Sequence, residues 1–189
     1  MSAGAARIEG VQLRSAQLED AAAIARLHIA SWRAAYSDEL PSEYLAALDE
    51  AARAEQWRSR LSRPTTHVLL AERGGELLGF CAHGPGQATD SSLTSVWEIY
   101  GLHVQPQLRG SGIGTVLFNE GLDSARRAGA SQLTLWVVGT NAPARRFYES
   151  KGMQPDGARK DRELAPGITL HELRYRVSLL TPAPKHVVR

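Results

Sequence analysis

A glycine-rich segment between a strand-like run and a helix-like run constrains the fold of this chain more than any other feature. Gln107 to Gly114 reads Gln-Leu-Arg-Gly-Ser-Gly-Ile-Gly and follows a β-type run that Pro106 ends. Alternate glycines permit a sharp turn and let an anion approach the main-chain amides without interference from Cβ atoms. The first N–H groups of the helix that follows lack helical partners, and the helix dipole favours negative charge there. The segment therefore predicts a phosphate-binding loop, with a plain loop entering a helix as the alternative.

Two better-known phosphate motifs do not fit this segment. A Walker A loop needs a Lys followed by Ser or Thr, whereas Gly114 is followed directly by Thr115. A dinucleotide fingerprint needs its glycines directly after a strand and an acidic residue about twenty positions later. Residues 106–109 intervene here, and residues 129–138 contain no acid. Arg109 within the loop predicts a charge-assisted contact with a phosphate.

Hydrophobic periodicity and turn residues around the loop predict a mixed α+β chain. The predicted strands are Val11 to Arg14, His67 to Glu72, Leu77 to Ala82, Thr94 to Val104, Leu133 to Val138, Met153 to Arg159, and Ile168 to Leu179. The predicted helices are Glu19 to Ala35, a short one opened by Pro41, Glu50 to Leu61, Gly112 to Ala128, and Ala142 to Lys151. Arg73 to Glu76 predicts a hairpin turn, and Gly84 to Ser92 a polar loop. This order favours a mostly antiparallel sheet with one parallel crossover near Val104 and Leu133.

Composition restricts the classes of function. The 189 residues are 43% hydrophobic and 22% charged with a net charge of +2, which gives no electrostatic case for a nucleic-acid or membrane partner. No apolar run is long enough for a signal sequence or a membrane span. A single cysteine, Cys81, excludes an internal disulfide and favours the cytoplasm. The six histidines show no metal-ligand spacing, so we predict no metal site. We expect one domain over residues 1–180, with a frayed leader from Met1 to Gly10 and a mobile tail over residues 181–189.

Two motifs together resemble the GNAT superfamily of N-acetyltransferases. Residues 109–114 (Arg-Gly-Ser-Gly-Ile-Gly), preceded by Leu102 to Pro106, are similar to the family's Arg/Gln-x-x-Gly-x-Gly/Ala motif. Asn141 to Met153 resembles a second signature, with an Asn, then Ala and Arg, then Phe-Tyr-Glu before a Gly. The resemblance implies a central sheet of about seven strands with helices on both faces and a splay between the fourth and fifth strands.

The same resemblance implies how coenzyme A is held. Pantetheine would lie in the splay, paired with the main chain around Leu102, His103 and Val104. The diphosphate would be held by main-chain amides of the loop, from Arg109, Gly110, Ser111, Gly112, Ile113 and Gly114. Asn141 would meet the coenzyme A arm, although its position at a helix start makes it equally suited to cap that helix.

Catalytic roles are also implied by the resemblance. Tyr148 would be the general acid that protonates the departing thiolate and would also contact the cofactor; core packing is its other interpretation. Glu98 is the first candidate for the base that takes the amine proton through a water, and for an acceptor contact; a partly exposed strand carboxylate without a catalytic role is its other interpretation. His103 is the second candidate base.

The first predicted helix also resembles a signature of a large GNAT subgroup whose substrates are unassigned. It carries Ser31-Trp32-Arg33-Ala34-Ala35-Tyr36, where aromatic residues border the acceptor pocket in that subgroup. Tyr36 is therefore a candidate acceptor contact. Trp32, Trp97 and Trp136 are expected to pack in the core.

The resulting hypothesis is an acetyl-CoA-dependent N-acetyltransferase acting on a primary amine of a small molecule or protein, by direct transfer. A catalytically inactive coenzyme A-binding sensor or interaction module is the alternative. A homodimer formed through the last strands is a further expectation from the resemblance.

Overall fold

A computed structural model describes residues 8–86 and 95–180 as one seven-stranded sheet with helices on both faces. The strands are β1 (Gln12–Ser15), β2 (His67–Arg73), β3 (Glu76–Pro85), β4 (Val96–Val104), β5 (Gln132–Val138), β6 (Gln154–Ala165) and β7 (Ile168–Ser178). The α-helices are α1 (Ala21–Ala35), α2 (Ser42–Ala46), α3 (Glu50–Leu61), α4 (Ile113–Arg127) and α5 (Ala142–Ser150), with 3₁₀ turns at Leu18–Asp20 and Pro106–Leu108. The predicted mobile tail, most of the leader and most of the Gly84 to Ser92 loop lie outside the described residues.

The sheet order is β1-β2-β3-β4-β5-β7-β6, and β4 with β5 is its parallel pair. The mixed class and the single parallel crossover are thus confirmed. The predicted hairpin is confirmed as well, because Arg73 pairs with Glu76 across Gly74 and Gly75, whose φ values are +58° and +84°. None of the helices found in the two described ranges is long and apolar enough to cross a bilayer.

Alternating side chains divide the core between the two faces of the sheet. Helices α1 and α3 cover one face, where the buried residues include Ile24, Trp57, Val68, Leu70 and Phe80. Helices α4 and α5 cover the other, where the buried residues include Leu117, Phe118, Leu133, Leu135 and Tyr175. The helices leave uncovered the gap between the ends of β4 and β5, and this gap forms a cleft.

The predicted splay is present where β4 and β5 separate. Their ladder joins residues 96–99 to residues 132–135 and ends at Ile99 and Leu135. Beyond that point, residues 100–104 of β4 and 136–138 of β5 diverge, so each presents main-chain groups to the gap between them.

A bulge at Tyr100 decides which way the end of β4 faces. Ala82 of β3 pairs with Gly101, while the next residue, His83, pairs with Ile99, so Tyr100 has no opposite partner. The extra residue reverses the alternation of β4. His103 therefore lies on the α1 face beside Phe80, at 5.0 Å between ring centroids.

Two predicted boundaries were wrong. Strand β3 continues through Gly84 and Pro85, which were expected to be loop. Strand β6 runs to Ala165 rather than stopping at Arg159, because it is an edge strand held by its ladder to β7. Its polar run Lys160 to Glu163 shows no apolar alternation, which removes the usual signal for a strand.

Candidate active site

The glycine loop opens α4 in the geometry required for anion binding. Gly110 and Gly112 have φ values of +82° and +90°, and Gly112 is the N-cap of α4. The first helical hydrogen bond runs from Val116 N–H to Gly112 C=O at 3.1 Å. The amides of residues 112–115 therefore precede the hydrogen-bond ladder of the helix. We call these four N–H groups the amide cradle.

Two amides of the predicted loop already have main-chain partners. The N–H of Arg109 donates to Pro106 C=O at 3.4 Å, and that of Ser111 donates to Leu108 C=O at 3.2 Å. Both bonds close turns inside the loop, so these two amides are engaged before any ligand arrives. Ile113 is part of the cradle through its amide alone, since its side chain is buried in the core.

Arg109 does not point over the loop. Its guanidinium donates to the carbonyl oxygens of Ser31 and Ala34, both at 3.4 Å, at the carboxyl end of α1. Those carbonyls carry the negative end of the helix dipole, which attracts a cation. Arg109 therefore joins the loop to α1, and its predicted phosphate contact stays a prediction.

One cavity of about 990 Å³ occupies the splay and brings most of the predicted site together. Its lining includes Tyr36, Glu98, His103, Asn141 and Tyr148 as well as loop residues at the start of α4. Leu102 and Val104 also line it, from the separated end of β4. Ser111 and the side chain of Ile113 are the predicted site residues that do not form part of this lining.

Tyr148 lies on α5 with its side chain buried at the cavity wall, 8% exposed. Burial raises the pKa of its phenol well above the usual value, so the hydroxyl holds its proton at neutral pH. Both interpretations of Tyr148 are therefore compatible: it packs against Phe147 and Phe118, and it still faces the cavity.

Asn141 caps α5 and also faces the cavity. Its Oδ1 accepts from the N–H of Ala144 at 3.1 Å, which confirms the capping interpretation. The Tyr36 hydroxyl hydrogen-bonds with Asn141, and this bond lowers the Tyr36 pKa against the larger opposite effect of burial. Tyr36 stands edge-on to Trp32 at 5.2 Å between centroids, which fixes it at the cavity wall.

Glu98 is half-buried and lines the cavity from β4. Burial raises the pKa of its carboxyl, while the charges of Lys160 and Arg174 partly oppose the rise. A carboxylate with a raised pKa accepts a proton more readily than an exposed one, which suits a general base.

His103 is poorly suited to the same task. Burial, followed by the positive charges of Arg53, Arg162, Arg109 and Arg60, lowers the pKa of His103 to about 3. The imidazole is therefore neutral at physiological pH and gains little by taking a proton. Its Nδ1 lies 2.9 Å from the Ser31 hydroxyl, which orients the ring.

The three tryptophans that were expected to pack in the core differ in burial. Trp32 is 5% exposed, which confirms the expected packing. Trp97 packs against the core on the α4 face. The expectation was wrong for Trp136, which is half-buried at the cavity wall with Lys160 Nζ 4.3 Å from its ring centroid. Trp136 lies past the end of the parallel ladder, so the splay exposes it.

A charged group at the cavity wall was not foreseen from the sequence. Glu172 is 6% exposed and pairs with Lys160 at 3.3 Å and with Arg162 at 2.9 Å. Buried and exposed side chains alternate along β7, and Glu172 lies two residues after the buried Leu170. Glu172 therefore shares the inward face with Leu170. That alternation was the one available signal, and a charge at such a position marks a functional candidate. Within the described ranges, no group of three or more His, Cys, Asp or Glu side chains could hold a metal ion.

Comparisons with known proteins agree with this geometry. The family model described as the acetyltransferase (GNAT) family matches residues 24–153, a range that contains both motifs. The N-acetyltransferase YuaI of Bacillus subtilis is 27% identical over 163 residues, covering 86% of this chain and 90% of that protein. A GCN5-related N-acetyltransferase structure from Rhodopseudomonas palustris matches with a TM-score of 0.71 at 26% identity, covering 93% of this chain and 100% of that one. The fold of yncA from Salmonella typhimurium, solved with its cofactor acetyl-CoA, matches with a TM-score of 0.65 at 22% identity, covering 94% and 99%.

Proposed function

The chain belongs to the GNAT acetyltransferase family, and on that premise we propose that it transfers an acetyl group from acetyl-CoA directly to a primary amine. The proposal rests on one observation: residues of the amide cradle, Tyr148 and Glu98 all line the same cavity in the splay. A coenzyme A sensor would need only the cradle. The placement of an acid and a base in the same cavity favours the enzyme.

The cavity suits acetyl-CoA in its volume and in its main-chain groups. Its volume of about 990 Å³ is at the upper end of the usual range for small-molecule sites. The amide cradle would hold the diphosphate, and the end of β4 beyond Ile99 would pair with the pantetheine amides. No atom lies within 4 Å of the position that a Cβ would take on Gly110, so the approach to the loop is open there.

Acetyl-CoA supplies an acyl thioester when it is bound. Glu98 takes the proton of the acceptor ammonium, directly or through a water, so that the nitrogen becomes nucleophilic. Tyr148 is protonated at neutral pH, and its hydroxyl would donate that proton to the sulfur as the amine nitrogen bonds to the acetyl carbon and the C–S bond breaks. Because burial raises the pKa of this phenol, the phenolate would at once regain a proton, the second one that the attacking nitrogen loses. Asn141 and Tyr36 line the same cavity as these two groups.

Cys81 supports direct transfer rather than an acyl-cysteine route. Its thiol is fully buried in the core on the α4 face, and burial raises its pKa to about 12. A nucleophilic cysteine needs the opposite, a lowered pKa and an exposed sulfur.

The test is release of coenzyme A, followed with a thiol reagent across an amine panel. Tyr148→Phe should lower kcat by on the order of a hundredfold or more, the usual worth of a general acid, with little change in coenzyme A affinity. Tyr44→Phe is the matched control, because Tyr44 is the same residue type and lies outside the lining of the cavity.

Three results would separate the possibilities. Coenzyme A binding with no transfer to any amine would favour the sensor alternative. Absence of coenzyme A binding by folded protein would reject both functions. Turnover unchanged in Tyr148→Phe would remove the proposed acid. The cytoplasmic location and the homodimer stay predictions, to be checked by fractionation and by light scattering.

A further inference from the structure

Three arginines cluster on the α1 side of the cavity, away from the amide cradle. Arg53 and Arg60 come from α3 and Arg162 from β6, and we call them the arginine wall. The guanidinium carbons of Arg53 and Arg162 lie 5.7 and 5.3 Å from the ring centroid of the same residue, Trp32. Two like charges therefore converge on one aromatic side chain.

The wall contains more positive charge than its own acids neutralise. Arg162 pairs with Glu172, which Lys160 already shares. Across residues 8–86 and 95–180, Arg53 and Arg60 form no ion pair with a carboxylate. Burial lowers the pKa of Arg53, and the nearby Arg162 lowers it further. A half-buried cation without a counter-charge is costly unless a ligand supplies one.

The positive field of the arginine wall reaches β4 where that strand lines the cavity. His103 lies on the cavity face of β4, and the three arginines of the wall are among the charges that lower its pKa. The same three charges lower the pKa of His28 after the larger effect of burial. A second ammonium or a polyamine chain would therefore be repelled here, whereas an anion would be attracted.

Resting on the transferase function above, we propose that the acceptor amine also carries a carboxylate, which docks against Arg53 and Arg162 beside Trp32. Guanidinium groups bind carboxylates through paired, charge-assisted hydrogen bonds, and an indole face stabilises the same guanidinium groups. The diphosphate of coenzyme A is a poor occupant of this wall. Its cradle opens α4, which packs on the opposite face of the sheet from α3.

The experiment compares the common α-amino acids with their carboxamides as acceptors. Each pair differs in the anion alone, apart from a lower amine pKa in the carboxamide, which by itself makes the carboxamide the better nucleophile near neutral pH. We expect kcat/KM to favour the acids by on the order of 10- to 100-fold for the best side chains, the worth of a charged hydrogen bond.

Variants locate the effect. Arg53→Gln should remove most of the preference for acids while leaving the carboxamides and the KM for acetyl-CoA unchanged. Arg58→Gln is the matched control, since Arg58 lies on the same helix, is exposed, and pairs only with Glu55 at 2.9 Å. Arg53→Lys keeps the charge and should retain part of the preference, and it replaces the Gln variant if that one unfolds.

The outcomes are distinct. Equal rates for acids and carboxamides in the unmodified protein, or a loss in Arg53→Gln that falls equally on both, would overturn the proposal. A raised acetyl-CoA KM in Arg53→Gln would assign the wall to the cofactor instead. If no amine is acetylated, the transferase function fails. The carboxylate site could then still be tested by ligand-detected NMR with the same acids. Binding to the unmodified protein but not to Arg53→Gln would support the site. Absence of binding to the unmodified protein would reject it.

Discussion

Replacement of Gly112 by Asp tests the amide cradle, because stability and cofactor affinity should respond in opposite directions. Gly112 is the N-cap of α4 at φ +90°, and an added Cβ would meet the movable end of Ile8 at 3.3 Å. Asp and Asn tolerate positive φ better than other side chains.

Gly112→Asn is the matched comparison for Gly112→Asp, because the two side chains have nearly the same shape and differ in charge. A carboxylate at the start of α4 gains about 0.3–1 kcal/mol from the helix dipole, so the Asp variant should melt at or slightly above the Asn variant. At this chain length each kcal/mol shifts Tm by roughly 2–4 °C. A bound diphosphate about 5 Å from the carboxylate would meet a repulsion of about 3 kcal/mol per charge pair at an effective dielectric constant of 20. This corresponds to a roughly 150-fold weaker Kd for coenzyme A in Asp than in Asn.

Titration calorimetry with coenzyme A and thermal unfolding without it are the two measurements. Cys81→Ala is a further control, because Cys81 is fully buried in the core on the α4 face, outside the amide cradle. It should bind coenzyme A normally. Equal Kd values for Gly112→Asp and Gly112→Asn, on folded protein, would refute the claim that the cradle holds the diphosphate.

Three further predictions follow from individual contacts. Lys160→Met removes a charge that lowers the pKa of Glu98, so the acid limb of the kcat/KM profile should move to higher pH; a limb that stays in place would argue against Glu98 as the base. Cys81→Ala should leave turnover unchanged, and native Cys81 should resist thiol reagents, as its pKa of about 12 requires; rapid labelling would contradict this. Gly79→Ala should lower the free energy of unfolding by about 1–3 kcal/mol, because its Cβ would lie 2.8 Å from the carbonyl oxygen of His103. An unaltered Tm would show that β4 can shift away from the added methyl group without loss of stability.

Sequence reasoning succeeded where the signal is local. The loop and the start of α4 depend on glycines that adopt positive φ, and the hairpin at Gly74 and Gly75 depends on the same property. The cap of α5 is a short-range hydrogen bond between Asn141 and the N–H of Ala144. Helix α3 matched its predicted bounds of Glu50 to Leu61, with Asp49 capping its first turn.

The same reasoning failed where distant segments meet. Trp136 has an apolar neighbourhood in sequence, but it borders the cavity because β4 leaves β5 beyond Ile99. Nothing near Tyr100 in the sequence marks the bulge that turns His103 to the α1 face. Arg53 reads as an ordinary exposed helix position until Arg162 arrives beside it from β6.

The sequence alone determined the glycine loop and the helix that follows it, because backbone conformation and capping depend on neighbours along the chain. Tyr148 and Glu98 were chosen from the family resemblance, and their roles stay proposals. Only the tertiary structure decided the shape of the cavity on its α1 side. There β7 enters between β5 and β6, and its Glu172 brings Lys160 and Arg162 to a wall that α3 completes. A charge field of this kind arises from segments more than a hundred residues apart, and no local pattern encodes it.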